Sequence, residues 1–335
     1  MLCPYIRSSS LNQFKFCQMR YLFEYLFCLP GKSGAKALKG TIFHKCQELR
    51  AQASTAIRDK KKSYIDDNFD KVLVKNATDI DWCLDQAFEY YSTKDPELGL
   101  VEKDKKEIRK WITDTLENYP HYDPLKMNIL QTEQKFDIEI REDWAKYKGV
   151  VKGVEHEGYL SIKGTIDSII KLDDNTYEML DYKSGSYRTD FATGEVKDSE
   201  YLKNDIQLLM YLVALDHLYP GKDWILSLFY IRAGGIFSVH GDKEMLQRAK
   251  DTIKKYFIEI GACENPTQFD PSNKSWKCKH LCPFSKPLSE YRGQSMCQHY
   301  KGLIDRKGIQ IVQDSIINEK KLFSYGSGGG RSASE

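Results

Sequence analysis

Two short runs separated by a turn constrain this chain more than any other part of it. The first is Lys163-Gly164-Thr165-Ile166-Asp167-Ser168-Ile169-Ile170, and the second is Tyr177-Glu178-Met179-Leu180-Asp181-Tyr182-Lys183. Asp173-Asp174-Asn175 lies between them. Apolar and β-branched residues on both sides of a polar turn predict a β-hairpin. A turn centred on Asp174 sets Asp167 opposite Asp181, where Cβ atoms stand about 4.5–5.5 Å apart. Side chains alternate faces along a strand, so Lys183 projects on the side of Asp181. Two carboxylates and one ammonium are thereby expected on one sheet face. Like charges in direct opposition destabilise a sheet, and a divalent cation would offset them. Exposed strand aspartates with a surface lysine are the ordinary alternative. The apolar neighbours Ile166, Ile169, Met179 and Leu180 argue against it.

The chemistry of such a set suits phosphodiester hydrolysis. Magnesium is a hard cation that prefers carboxylate oxygens and keeps several waters. Bound there, it would activate an attacking water and polarise a phosphate. A lysine beside it can orient that water or stabilise charge on the phosphoryl oxygens.

The 335 residues suffice for one large domain or two ordinary ones, and 41% hydrophobic residues allow a sizeable core. A net charge of +2 predicts no partner by itself. Local runs such as Lys60-Lys61-Lys62 and the stretch from Lys103 to Lys110 are ordinarily solvated helix faces. No apolar run reaches the ~18 residues of a membrane span, and no signal peptide is recognisable. The expected setting is intracellular: cytoplasmic, or the host cytoplasm for a viral chain. There, nine cysteines point to metal binding or catalysis rather than disulfides.

Helical spacing predicts helices over 8–27, capped by Ser8, Ser9 or Ser10, and over 41–57, with His44 and Glu48 one turn apart. Residues 64–120 read as helical and charged, ending at Pro120 and Pro124. Strands are expected over 129–140, 150–170, 177–184, 224–232 and 235–239. Helices are expected over 205–219 and 243–261. The expected fold is α/β, a mixed sheet core flanked by helices. Its parts are an N-terminal helical region (1–125), a core (126–262) and a C-terminal cysteine-rich metal module (263–325). Residues 326–335 read as a linker or tag remnant.

Gly164-x-x-Asp167 followed by Asp181-x-Lys183 resembles the PD-(D/E)XK nuclease core, a restriction-endonuclease-like fold. The match is similar to its RecB/AddB-like branch, which includes nucleases of CRISPR adaptation. That branch carries Gly-x-x-x-His in an early helix, as Gly40-Thr41-Ile42-Phe43-His44 does. It also carries Gln-x-x-x-Tyr after the lysine strand, as Gln207-Leu208-Leu209-Met210-Tyr211 does. The resemblance implies His44, Asp167, Asp181 and Glu133 as ligands of Mg2+ or Mn2+. It implies Asp167, Asp181, Lys183, Gln207 and Tyr211 as catalytic residues. Alone, His44 would be a packed or surface histidine, and Tyr211 a core tyrosine.

In that branch one N-terminal and three C-terminal cysteines hold a [4Fe–4S] cluster, which implies Cys17, Cys278, Cys282 and Cys297 here. Four thiolates are the usual shell. Fourteen residues separate Cys282 from Cys297, more than in the family's tail. His280 and His299 keep zinc as the alternative. The implied activity is a metal-dependent DNA nuclease, an exonuclease on single-stranded DNA or DNA ends, serving replication, recombination or repair beside a helicase or recombination or replication protein. Tyr187, Phe191 and Tyr230 are candidate base-stacking residues. The alternative is a non-catalytic nucleic-acid-binding or assembly subunit of a helicase–nuclease complex.

Overall fold

A lone hairpin is marginal in water and needs neighbours. Here it forms the middle of a six-stranded mixed sheet. The computed structural model describes residues 1–29, 31, 34–185, 188–189, 195–267 and 275–324. The sheet strands are β1 Tyr5–Ile6, β2 Ile129–Glu139, β3 Ser161–Lys171, β4 Thr176–Lys183, β5 Asp223–Tyr230 and β6 Gly235–His240. Antiparallel β2 follows one edge of β3 from Ser161 to Ile170. The other edge is shared by β1, parallel at Ser161–Ile162, and β4, antiparallel over Ser168–Lys171. β5 pairs parallel with β4, and β6 antiparallel with β5.

The principal helices are α1 Ser8–Phe16, α2 Ala35–Arg58, α3 Ile80–Lys94, α4 Glu102–Asn118, α5 Ile206–Leu218, α6 Lys243–Ala262 and α7 Met296–Lys307. Residues 177–182 of β4 are all buried, so the strand is covered on both faces. Tyr177 and Met179 belong to the apolar cluster of α5, and Leu180 and Tyr182 to that of α2. Alternation along the strand therefore puts α5 and α2 on opposite faces. The Asp205 carboxylate caps α5, accepting from Gln207 N at 2.9 Å and Leu208 N at 3.2 Å. That cap sets where Gln207 begins the helix.

Three expected elements divide differently. The 150–170 stretch contains a separate hairpin, Lys146–Val151 with Val154–Tyr159, before β3 begins. Lys152 and Gly153 have φ of 50° and 80°, the two left-handed residues that a tight hairpin turn requires. The 8–27 helix breaks at Cys17, which is extended at φ −163°. There Met19 N donates to the Thr267 carbonyl, and Gln18 Oε1 accepts from Thr267 N, so the turn docks the segment after α6. The helix starts from Arg7, whose N–H donates to Ser10 Oγ at 2.9 Å. Finally, 64–120 contains a hairpin, Ser63–Asp66 with Asp70–Leu73. Its turn is made by Asp66 Oδ1, which accepts from the backbone N–H groups of Asn68 and Phe69.

Candidate active site

The β3–β4 register has the centre expected from Asp174, with Ser168 opposite Leu180, but the ladder stops one rung short of Asp167 and Asp181. Asp167 Oδ2 itself accepts the Tyr182 N–H, at 2.8 Å. On the far edge, the β2–β3 pairing passes from Thr132–Ser168 to Gln134–Ile166 and skips Glu133 and Asp167. Glu133 has φ 48°, a left-handed conformation that strains a non-glycine residue inside a strand. By register, three carboxylates fall on one rung of three adjacent strands, and both ladders open there. On the β4 side the Asp167 carboxylate takes the Tyr182 N–H in place of a ladder carbonyl.

Helices reach this rung from both faces. From α2, His44 Nδ1 stands 3.2 Å from Asp167 Oδ2. A Cβ on Gly40 would lie 2.5 Å from Ser184 Oγ, so glycine lets α2 approach the end of β4. From α5, Gln207 donates through Nε2 to Asp181 Oδ1 at 2.7 Å and accepts from Lys183 Nζ through Oε1 at 2.6 Å. The Tyr211 hydroxyl accepts from Gln207 Nε2 at 2.7 Å. Its single proton faces the Thr165 carbonyl at 2.8 Å and Asp181 Oδ1 at 3.2 Å. Lys183 Nζ and Asp181 Oδ2 are 2.5 Å apart, a close ion pair.

Burial opposes charge at every one of these groups, and the outcomes differ. For His44, burial is outweighed by Asp167, Asp181 and Glu133, which raise it to about 9. Burial would raise Asp167, but His44, the Tyr182 N–H and Lys183 hold it below the ordinary carboxylate range. Asp181 stays above its usual value because burial exceeds the pull of Lys183. Burial would lower Lys183, yet Asp181 and Asp167 raise it, so it is an ammonium. Glu133 is raised to about 8 by burial, then by Asp167 and Glu48.

His44, Asp167, Asp181, Lys183, Gln207 and Tyr211 line one cleft of about 470 Å3. A second, of about 350 Å3, shares His44 and Asp167 and adds Glu133, Lys45 and Glu48. The PD-(D/E)XK nuclease superfamily profile matches residues 8–286. The chain belongs to the PD-(D/E)XK nuclease superfamily. It is also similar to a candidate exonuclease from Eubacterium rectale, at 14% identity over 86% of this chain and 92% of that one, with a TM-score of 0.45. A second solved structure, SSO0001, is 15% identical over 84% of this chain and 86% of that one, with a TM-score of 0.28. The comparison with curated proteins gives no match.

Members of this superfamily generally use Mg2+ or Mn2+, and the donors here fit such an ion. Carboxylate oxygens and an imidazole suit a hard divalent cation. The crowded Glu133 carboxyl, raised by burial, Asp167 and Glu48, is what a missing positive charge would leave. Among the described residues, no three His, Cys, Asp or Glu side chains converge tightly enough to hold a metal as they stand.

Sequence reasoning missed the salt-bridged group behind His44. Lys45, 3% exposed, pairs with Glu48 at 2.9 Å and with Asp66 at 2.8 Å. The i, i+4 spacing of His44 and Glu48 was the available signal. Tyr230 is a correction. It is 4% exposed, with its ring edge-on to Phe237 at 6.0 Å, so it has no free face on which a base can stack. Tyr187 and Phe191 lie outside the described residues.

Gly164 has a mechanical role in this superfamily member. A Cβ there would lie 2.5 Å from Phe136 Cζ, in a ring that is 6% exposed and packs edge-on against Tyr211 at 6.2 Å. Gly164→Ala is expected to cost about 1–3 kcal/mol by overpacking, read by urea denaturation. Adding Phe136→Leu should restore part of it. Stability equal to wild type in the single variant would contradict this packing account.

Cys17, Cys278 and Cys282 lie where residues 16–23 meet residues 277–284. Arg20 donates to the Leu281 carbonyl at 2.6 Å, Phe23 packs on Phe284 at 4.9 Å, and Lys277 Nζ lies over the Phe16 ring. Burial pushes the Cys282 thiol up to about 11, and Cys17 and Cys278 are near enough to add repulsion. Cys297 opens α7, and its N–H donates to the Phe284 carbonyl at 3.1 Å. Among the described residues all nine cysteines are free thiols. No helix among the described residues is long and apolar enough to cross a membrane.

Proposed function

We propose that this chain is a Mg2+- or Mn2+-dependent deoxyribonuclease acting on single-stranded DNA or DNA ends. The observation that carries the reading is Lys183, held as an ammonium between Asp181 and Gln207, in one cleft with Asp167 and His44. A binding subunit without chemistry has no need of a buried, crowded carboxylate rung. Asp167, Asp181, Glu133 and His44 would hold the ion. When bound, the ion supplies an activated water and a polarised phosphate.

The chain's own residues do the rest. Lys183 donates to a phosphoryl oxygen, where charge develops. Gln207 fixes the direction of that ammonium by accepting one of its protons. Tyr211 and Gln207 together pin Asp181, and the Tyr182 N–H pins Asp167. The exonuclease mode, the RecB/AddB-like branch, and work beside a helicase or recombination protein rest on the motif resemblance. So does the division into helical region, core and cysteine-rich module. The deciding experiment is digestion of end-labelled single- and double-stranded DNA with Mg2+, Mn2+ or EDTA. No cleavage in any metal would overturn the reading and favour a non-catalytic binding subunit.

For the cysteines we propose a structural [4Fe–4S] cluster on Cys17, Cys278, Cys282 and Cys297. Three of these thiols lie within electrostatic reach of one another, and four thiolates are the usual shell. Anaerobically purified protein is expected to be brown, and Cys278→Ala to bleach it and lower the melting temperature. Colourless protein with stoichiometric zinc would replace the cluster by zinc. Metal-free protein of unchanged stability in the variant would leave these cysteines as packing residues.

A further inference from the structure

Tyr230 is paired in register with Lys183 across the parallel β4–β5 ladder, so both side chains leave the same face side by side. Its ring is enclosed, with 4% of the residue exposed, and it lines the same cleft as Asp181 and Lys183. Its hydroxyl is buried, and among the described residues it has no hydrogen-bond partner. A buried phenol without a partner costs about 1–3 kcal/mol, so a chain keeps one where something outside the fold completes it. Asp205, Asp181 and Arg188 are the charged groups that act on the hydroxyl. One further cation, Lys197, lines that cleft, and Arg188 lies beyond its lining. The Lys197 ammonium is 5.4 Å from the Tyr201 ring centre, and Arg188 stacks over Phe237 at 3.7 Å. A neutral, unpartnered donor on a ring that lines the cleft, beside the Lys183 ammonium and in one cleft with Lys197, matches an anionic oxygen.

We propose that the Tyr230 hydroxyl donates to a phosphate of the nucleic-acid strand next to the scissile one, anchoring the strand beside Lys183. The proposal rests on the nuclease reading above and names how the same cleft holds its substrate. The hydroxyl donates its one proton to a non-bridging phosphate oxygen, while Lys197 in the same cleft supplies charge. Lys183 remains free for the scissile group.

The test is Tyr230→Phe, which removes only the oxygen. Binding of a fluorescent single-stranded oligonucleotide is read by anisotropy with Ca2+ in place of Mg2+, so that cleavage is not needed. Hydrogen bonds to charged groups predict about ten-fold weaker binding or more. Melting of the strand-free variant is expected at or above the wild-type temperature, because a buried unpaired hydroxyl has been removed. Oligonucleotides with one neutral methylphosphonate linkage, moved stepwise along the strand, locate the contact. Wild type should lose affinity at one position adjacent to the cut, and Tyr230→Phe should be indifferent there. Inorganic phosphate should compete only weakly, since the contact is proposed for a strand. Unchanged affinity in Tyr230→Phe would overturn the proposal. So would a lowered melting temperature with unchanged methylphosphonate sensitivity, which marks a structural hydroxyl. Failure of wild type to cleave in Mg2+, with the binding pattern intact, would instead remove the catalytic reading and keep this contact.

Discussion

Asp181→Asn is expected to lower DNA cleavage by about a thousand-fold or more while leaving single-strand binding nearly unchanged. The carboxylate is 3% exposed and is held by three neighbours: Lys183, Gln207 and Tyr211. Asparagine keeps the Oδ1 acceptor that Gln207 needs, so the fold of the rung is conserved. What it removes is the charge that a metal ion requires, and charge stabilisation by such ions is worth several kcal/mol at the transition state. Strand affinity comes mainly from phosphate contacts elsewhere. Initial rates on end-labelled DNA, set beside anisotropy in Ca2+, separate the two quantities. Cleavage near the wild-type rate would show that the active site has been misplaced.

Lys183→Met comes next in expected size, with turnover lost by roughly 10²–10³-fold, the scale found when one preorganised donor to developing charge is removed. The side chain is 28% exposed, so methionine fits without burying a new polar group. Ammonium is not a metal ligand, and its removal takes one positive charge away from Asp181 and Asp167. Metal affinity by calorimetry is therefore expected to hold or to rise. Weakened metal binding with most of the turnover retained would mean that Lys183 organises the ligands and takes no part in the chemistry.

The strand pairing at this site was legible from symmetry alone. A polar turn centred on Asp174 fixes the register through Ser168 and Leu180. The one-turn spacing of Gln207 and Tyr211 put both on one helix face, and both meet Asp181. Less legible was where the ladder ends. Pattern rules pair Asp167 with Asp181, but the ladder stops one rung earlier, where the Asp167 carboxylate takes the Tyr182 N–H. The Lys45–Asp66 pair escaped notice because the two are distant in sequence, and a lysine on a helix is ordinarily solvated. Tyr230 was misread for a related reason. Aromatic residues advertise stacking in a sequence, whereas enclosure by Phe237 is decided by tertiary packing.

The two-residue strand Tyr5–Ile6 has a bearing on biogenesis. It is synthesised well before its partner, Ser161–Ile162, which lies far along the chain. Bridging so long a separation costs closure entropy and slows assembly. Until that docking occurs, β3 presents an unpaired edge at Ser161–Ile162, the kind of edge that captures strands from other chains. Expression yield of this protein should therefore respond to Tyr5 and Ile6 more than their small buried area suggests, through aggregation of the nascent sheet rather than through loss of the finished one.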